Sequence, residues 1–400
     1  MNGAPYIVGE HHIKICQYLD KVVKGEIQKL IINIAPRFGK CVAPNTEVLT
    51  KRGLIRADEV KVGDSVGSFR EGLFEWHKCL GKGKAHKLSV KIKMRSGREF
   101  VCSNDHPMLT TFGYVEAAKL KEGDRIQALC SCYDGNHEID DAELDFITMM
   151  IFEGCCNKHL HFSSGDESIV ELMQKRCIDL GFELSHRPSD NYCDFGFIGS
   201  AKVHEVLKKY GVDGHLAYDK RIPRDWFTLS LRQRLRFIDL MFATDGYAQG
   251  NGTCGVTLAN KGLIEDIQHM FASIGIISSV YKKRNDCAGA WVLNISRRET
   301  IKLLSLITFM QKRGMAERAL EKEPVCITDS FPFEIIRRER MTYKMMRPPY
   351  RCVQSKEITR EKFVRLAEHF PQLQKYICKD FYLDRVDSIE PVGELDLINI

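Results

Sequence analysis

The stretch Phe146-Ile-Thr-Met-Met-Ile-Phe-Glu153-Gly154 returns later in the chain as Ile238-Asp-Leu-Met-Phe-Ala-Thr-Asp245-Gly246. Each copy is an apolar run of helical character closed by a carboxylate and a glycine. After each comes a second helical pattern, over 170–180 before Gly181 and over 263–274 before Gly275. The acid-to-glycine spacings are 181 − 153 = 28 and 275 − 245 = 30. Two copies with near-equal internal spacing predict a pseudo-symmetric pair of subdomains. Packing the two apolar helices side by side would bring Glu153 and Asp245 to one place.

The pair sits in a chain of 400 residues, too long for one ordinary domain. Hydrophobic residues make up 44% and charged residues 28%, which allows real cores and excludes a disordered chain. No run approaches about eighteen apolar residues, and Glu10, His11, His12 and Lys14 break any secretory segment, so the expectation is a cytoplasmic protein. The 15 cysteines are odd in number and scattered, which predicts buried thiols rather than a disulfide framework. A net charge of 59 − 53 = +6 permits a nucleic-acid partner without demanding one.

The texture of the chain changes three times. Residues 1–40 read as the start of another protein. In them, 26–34 (EIQKLIINI) form an apolar run of the kind a buried strand uses, leading into Ala35-Pro36-Arg37-Phe38-Gly39-Lys40. A strand followed by Gly-Lys resembles part of a P-loop, whose amides and lysine hold phosphate and whose next Ser/Thr meets Mg²⁺. Ile34 stands where the first glycine belongs and Cys41 where the hydroxyl belongs; a surface turn is the plain alternative. From 41 to 135 short strand patterns alternate with Gly-containing turns, an all-β signature. Residues 136–350 mix amphipathic helices with strands and contain the acid-ended repeat. Residues 351–400 hold one helical segment and then strands.

The repeat resembles the two motifs of a LAGLIDADG (DOD-type) homing endonuclease, with Lys220-Arg221-Ile222-Pro223 similar to the Lys-x-Ile-Pro element before the second motif. The resemblance implies that Glu153 and Asp245 hold Mg²⁺, that Lys220 supports water activation or phosphate charge, and that a monomer cuts both strands of double-stranded DNA. Basic clusters at Lys282-Lys283-Arg284, Arg297-Arg298 and Arg337-Arg338-Glu339-Arg340 are candidate phosphate contacts.

On either side, the sequence resembles an intein. Cys41-Val-Ala-Pro-Asn-Thr-Glu-Val-Leu-Thr50 is similar to the first splicing block. Ser103-Asn104-Asp105-His106-Pro107 is similar to the Thr-x-x-His block, with Ser for Thr, and Leu395-Asp396-Leu397 to the start of the C-terminal block. The fold implied is an all-β Hint domain split by the α+β endonuclease. Splicing needs a nucleophile whose own backbone nitrogen carries the acyl group to be released. Cys41 would attack the Lys40 carbonyl, His106 would protonate the departing nitrogen, Ser103 would hold the scissile amide, and Asp396 would tune the thiol. The closing His-Asn pair of this family is not within the 400 residues, so the expected reaction is thioester formation and cleavage after Lys40. Residues 1–40 resemble the ATPase of a phage terminase large subunit, which makes Gly39-Lys40 an interrupted Walker A loop at the splice junction. A degenerate element that binds DNA or only folds, an ATPase, and a Hedgehog-type autoprocessing domain are the competing readings.

Overall fold

The computed structural model describes residues 10–27, 29, 41–70, 73–157, 159–187, 193–283, 289–321, 329–341 and 357–400. The chain divides into two units, 1–40 and 41–400. In the first, Glu10–Val23 is a helix. Most of the strand expected over 26–34, and both Gly39 and Lys40, lie outside the described residues.

From Cys41 to Leu129 the regular elements are strands and two short 3-10 turns. The organising element comes from the other end of the sequence. Strand Phe381–Asn399 pairs antiparallel with Gly83–Met94 along most of its length, with Arg125–Leu129 near its start and with Cys41–Val42 at its end. It therefore runs through the middle of a seven-stranded sheet. Register shifts at Val386/Ser388 and Pro391/Gly393 let so long a strand bend, and the second accommodates a proline with no N–H to give. Val90, Ile92, Met94, Cys102, Ile126 and Val386 share one core, so both ends of this unit are packed together.

Between these ends in sequence stands the repeat. Helix Asp141–Phe152 starts where the Asp140 carboxylate accepts from the amides of Ala142 and Glu143. Helix Leu231–Ala243 starts where the Ser230 hydroxyl accepts from Gln233. Both caps satisfy amides that have no partner within the helix. Each helix feeds a four-stranded antiparallel sheet. The strands lie in the order Gly154–Cys155, His161–Ser164, Cys193–Ile198, Glu183–Arg187 in one, and Gly246–Ala248, Cys254–Leu258, Trp291–Ile295, Ser278–Lys282 in the other. A helix fills the same place in each, Glu167–Leu180 and Lys261–Ala272. The sequence repeat is thus a repeat of topology.

The motif glycines have a steric reason. A Cβ on Gly154 would stand 2.7 Å from Met150 Cα, and one on Gly246 2.6 Å from Phe242 Cα. In both copies the chain doubles back over the last helical turn, where no side chain fits. The two helices pack into one core with Phe146, Met150, Phe237 and Leu240 fully buried. Asp145, 1% exposed, ties them: it accepts from Arg176 at 2.8 Å and from Arg236 of the second helix twice at 2.9 Å.

The boundary expected at 350/351 falls between two segments that pair with each other. Ser330–Pro332 pairs with Glu357–Thr359, and helices Glu334–Arg338 and Arg360–His369 close a small core of Phe331, Ile335, Ile358, Phe363 and Leu373. Phe331 and Phe363 stack with centroids 3.9 Å apart. Residues from both sides of the expected boundary form one body, and strands of three residues are too short to show alternation in sequence. Among the described residues no helix is long and apolar enough to cross a membrane.

Candidate functional site

Glu153 is the C-cap of the first acid-bearing helix, and Asp245 follows the last residue of the second, Ala243, by two positions. A helix C-terminus is a partial negative pole, so each carboxylate adds charge to an end already negative. Glu153 is half-buried and Asp245 is exposed. Desolvation pushes the Glu153 carboxyl up, a Ser164 hydrogen bond opposes the rise and the Asp245 charge adds to it. Desolvation also pushes Asp245 up, against the pull of Lys312 and Lys220. The two acids thus stand within each other's field, where like charges resist joint ionisation.

A lysine sits under each helix end. Lys220, 3% exposed, donates to the carbonyls of Met150 at 2.8 Å, Ile151 at 3.0 Å and Gly154 at 2.6 Å. Lys312 donates to Phe242 at 2.6 Å, Ala243 at 3.2 Å and Thr244 at 3.0 Å. Desolvation lowers both ammonium pKa values, opposed at Lys220 by Cys156, Cys155 and Asp245 and at Lys312 by Asp245, Glu153 and Asp166. All three donors of Lys220 are committed to backbone, so it shapes the site through the helix end and its charge rather than by direct contact. Lys312 was missed in the sequence, yet a signal exists: 220 − 153 = 67 and 312 − 245 = 67, with an arginine after each lysine.

Among the described residues no group of three or more His, Cys, Asp or Glu converges as a metal nest. The acid pair still suits a hard cation. Glu153 Oε2 is buried without a hydrogen-bond partner, two negative helix ends meet there, and the Asp245 side opens to solvent.

The basic clusters divide. Lys282, Lys283, Arg337, Arg338 and Arg340 are exposed, and Arg284 lies outside the described residues. Arg298 is corrected: it is buried against Glu299 at 2.7 Å, Glu361 at 3.0 Å and Asp329 at 3.4 Å, and so has a structural partner set rather than a free face.

The second constellation surrounds Cys41, 1% exposed. Val42 pairs with Cys102 on one side, and Cys41 pairs with Asn399 on the other. By antiparallel register Cys41 is the neighbour of Ser103, which is fully buried. The strand ending at Ser103 turns tightly: His106 N bonds Ser103 O at 2.9 Å and Ala117 N bonds His106 O at 2.8 Å. That turn aims His106 Nδ1 to 3.2 Å from the Cys41 carbonyl oxygen. Desolvation raises the Cys41 thiol; Lys87 opposes and Asp105 reinforces this. Desolvation alone would raise Asp105 too, but hydrogen bonds from Ser103 and Lys87 hold it below the usual carboxylate range.

The structure does not bring Asp396 to Cys41. Asp396 pairs in register with His86 and bonds its Nδ1 at 2.9 Å, with 88% of its side chain exposed. The reason is strand parity. Asn399 faces Cys41, and three residues away the side chain points to the opposite face. The charges that reach the thiol are Lys87 and Asp105, which sequence spacing did not single out.

One family match bears on the repeat. Residues 232–308 match the LAGLIDADG-like domain. This LAGLIDADG-like match covers the second copy, and the shared strand order extends its architecture to the first. The chain is 23% identical to the replication factor C small subunit of Methanocaldococcus jannaschii, over 98% of this chain and 22% of that protein. It is 26% identical to the probable translation initiation factor IF-2 of Pyrococcus horikoshii, over 72% of this chain and 26% of that protein. The chain therefore spans about a quarter or less of the curated relatives it matches. Among solved structures, the gp41-1 intein is 28% identical, covering 23% of this chain and 69% of that one with a TM-score of 0.20. I-DmoI in complex with DNA and Mn is 14% identical, covering 41% and 94% with a TM-score of 0.31.

Proposed function

We propose that the LAGLIDADG-like region is a divalent-cation-dependent endonuclease that cuts both strands of duplex DNA. The observation that carries this is the acid pair itself: Glu153 and Asp245 end two helices that share one core, each with a lysine on the terminal carbonyls. Glu153 and Asp245 would hold the cation, taken to be Mg²⁺. When bound, the metal would supply a more acidic water and charge stabilisation on the leaving oxygen. The chain's own groups do the rest. The lysines fix the helix ends, so the carboxylates stay in place, and they offset part of the negative field that would repel a phosphodiester. Two acids, one from each copy, suit two strands of pseudo-symmetric DNA.

The flanking β region we read as the splicing half of the element, an all-β Hint domain divided by the nuclease. Cys41, Ser103 and His106 are its reacting group, Lys40–Cys41 its junction, and Lys87 with Asp105 the charges that act on the thiol. The two curated relatives carry unrelated names, a replication factor and an initiation factor, yet this chain matches a minor part of each. A segment independent of its host's task fits a mobile insertion. The interrupted host here is taken to be a phage terminase, with Gly39-Lys40 as its P-loop remnant.

The nuclease reading is tested with purified protein, Mg²⁺ and the uninterrupted terminase gene. Double-strand cleavage is expected, and none should remain in Glu153→Gln combined with Asp245→Asn. A cut that survives in that variant removes the assignment. The junction is tested with dithiothreitol, which should release a fragment of about forty residues from the protein and none from Cys41→Ala.

A further inference from the structure

The residue after Lys220 leads out of the repeat and into the β region. Arg221 makes a fork onto Asp266, Nε and Nη2 each at 2.6 Å, and Asp266 is fully buried. Asp266 also accepts from Ile222 N at 3.1 Å and from Arg224 at 3.0 Å. One carboxylate thereby fixes the backbone and side chains of 221–224. Two guanidinium groups around one carboxylate leave an excess positive charge. The balancing group is Glu47, on the strand Glu47–Thr50 that follows the Cys41 segment: it meets Arg221 at 3.1 Å and Arg224 at 2.9 Å. His269, 3.4 Å from the other Glu47 oxygen, is held neutral by desolvation and by Arg98, its pKa pushed down to about 3. It therefore does not compete for the charge. The strand Gly53–Arg56, paired with Glu47–Thr50, presses on the same segment by shape. Gly53 has φ +112°, and a Cβ there would lie 2.0 Å from the Arg224 carbonyl oxygen.

Among the described residues the second copy has no such buttress. Arg313, which follows Lys312, pairs with Glu317 one turn on at 2.9 Å, and both side chains are about half exposed.

We propose that Glu47 is a positioning residue for the Lys220 half of the acid site, so that the β region helps set cleavage of one DNA strand and not the other. This rests on the nuclease reading above. Glu47 touches neither acid. It acts by holding Arg221 and Arg224, which hold the chain that presents Lys220 to the helix end carrying Glu153.

The test uses the full chain and a duplex that the unsubstituted protein cuts, with the two strands labelled separately. Glu47→Gln is expected to slow one strand by about tenfold to a hundredfold and to accumulate nicked duplex, the scale on which small misplacements act. Glu47→Asp, which keeps the charge, should show a smaller bias, and Glu317→Gln should cut both strands as the unsubstituted protein does. A general loss of fold lowers both strands together, so the strand ratio reads position rather than stability. Equal slowing of both strands, or no slowing, overturns the proposal. Amide hydrogen exchange gives a readout that needs no cleavage: residues 221 and 222 should exchange faster in Glu47→Gln while 313 and 314 do not change. Absence of cleavage by the unsubstituted protein overturns the nuclease reading instead, and leaves the exchange result to decide on Glu47.

Discussion

In the first copy of the repeat, the loop that delivers the lysine is held from outside. Asn260, the cap of a second-copy helix, donates to the carbonyls of Lys220 at 2.7 Å and Ala217 at 3.1 Å. In the second copy the loop is held by its own acid-bearing helix. Asp239 accepts from Thr308 Oγ1 at 2.7 Å and from Phe309 N at 2.9 Å. Phe309 adopts φ 57°, a left-handed conformation costly for a bulky residue, and stays there because Asp239 holds its amide and Phe242 packs on its ring at 4.8 Å. The lysines end on two equivalent carbonyls, Met150 and Ile151 in one copy and Phe242 and Ala243 in the other, by different routes, and differ at the third, Gly154 against Thr244. A terminal geometry can thus be repeated while the support beneath it diverges, since the helix end asks only for three donors at one place.

The largest expected effect tests what the copies share. Asp145→Asn leaves Arg176 and Arg236 without their buried partner and should lower unfolding free energy by about 3–5 kcal/mol in denaturant titration. A loss below about 1 kcal/mol, the scale of a surface pair, would mean that Asp145 does not join the copies.

Next comes the acid pair, where the copies meet. Both carboxyls are raised in the folded state, so these two groups bind more protons folded than unfolded. Their contribution is present below the ordinary carboxylate range and is lost as pH rises through the raised values. A divalent cation replaces those protons. At roughly 100 times its dissociation constant it should add about 2.7 kcal/mol at neutral pH. It should add little at acid pH, and nothing in Glu153→Gln with Asp245→Asn. Thermal melting with and without Mg²⁺ checks this, and an equal shift in the double variant would place the cation elsewhere.

Asp239→Ala separates the copies. It strands the Phe309 amide and releases the strained turn, an expected cost of about 1–3 kcal/mol. Cleavage should fall on the strand opposite to the one affected by Glu47→Gln. The smallest effect is Glu317→Gln, an exposed pair worth about 0.2–1 kcal/mol. Its melting temperature should barely move.

Much of this was legible beforehand because it is local. The acid-ended helices announce themselves by apolar patterning and a following glycine, and the steric need at Gly154 and Gly246 is met within one helical turn. Other features were hidden for stated reasons. Asp396 is near Cys41 in motif order, but a period of two along the strand turns it to solvent. Arg298 looked like a surface cation until Asp329 and Glu361 closed over it. The body built from Ser330–Pro332 and Glu357–Thr359 rests on pairs too short to leave a pattern.

By itself the sequence determined the repeat and the acid at the end of each helix; it also carries a lysine and arginine at matched distance from each acid, while the cysteine and histidine were legible only through the resemblance to inteins. The two helices and their acids follow from periodicity within a few turns of chain. Only the tertiary structure decided that the final strand runs through the centre of the first sheet, that Lys220 and Lys312 each lie under the end of an acid-bearing helix, and that Glu47 reaches Arg221 across 174 residues. The physical reason is that such contacts depend on sheet register and on which charged groups are buried together, and neither is written in the pattern of neighbouring residues.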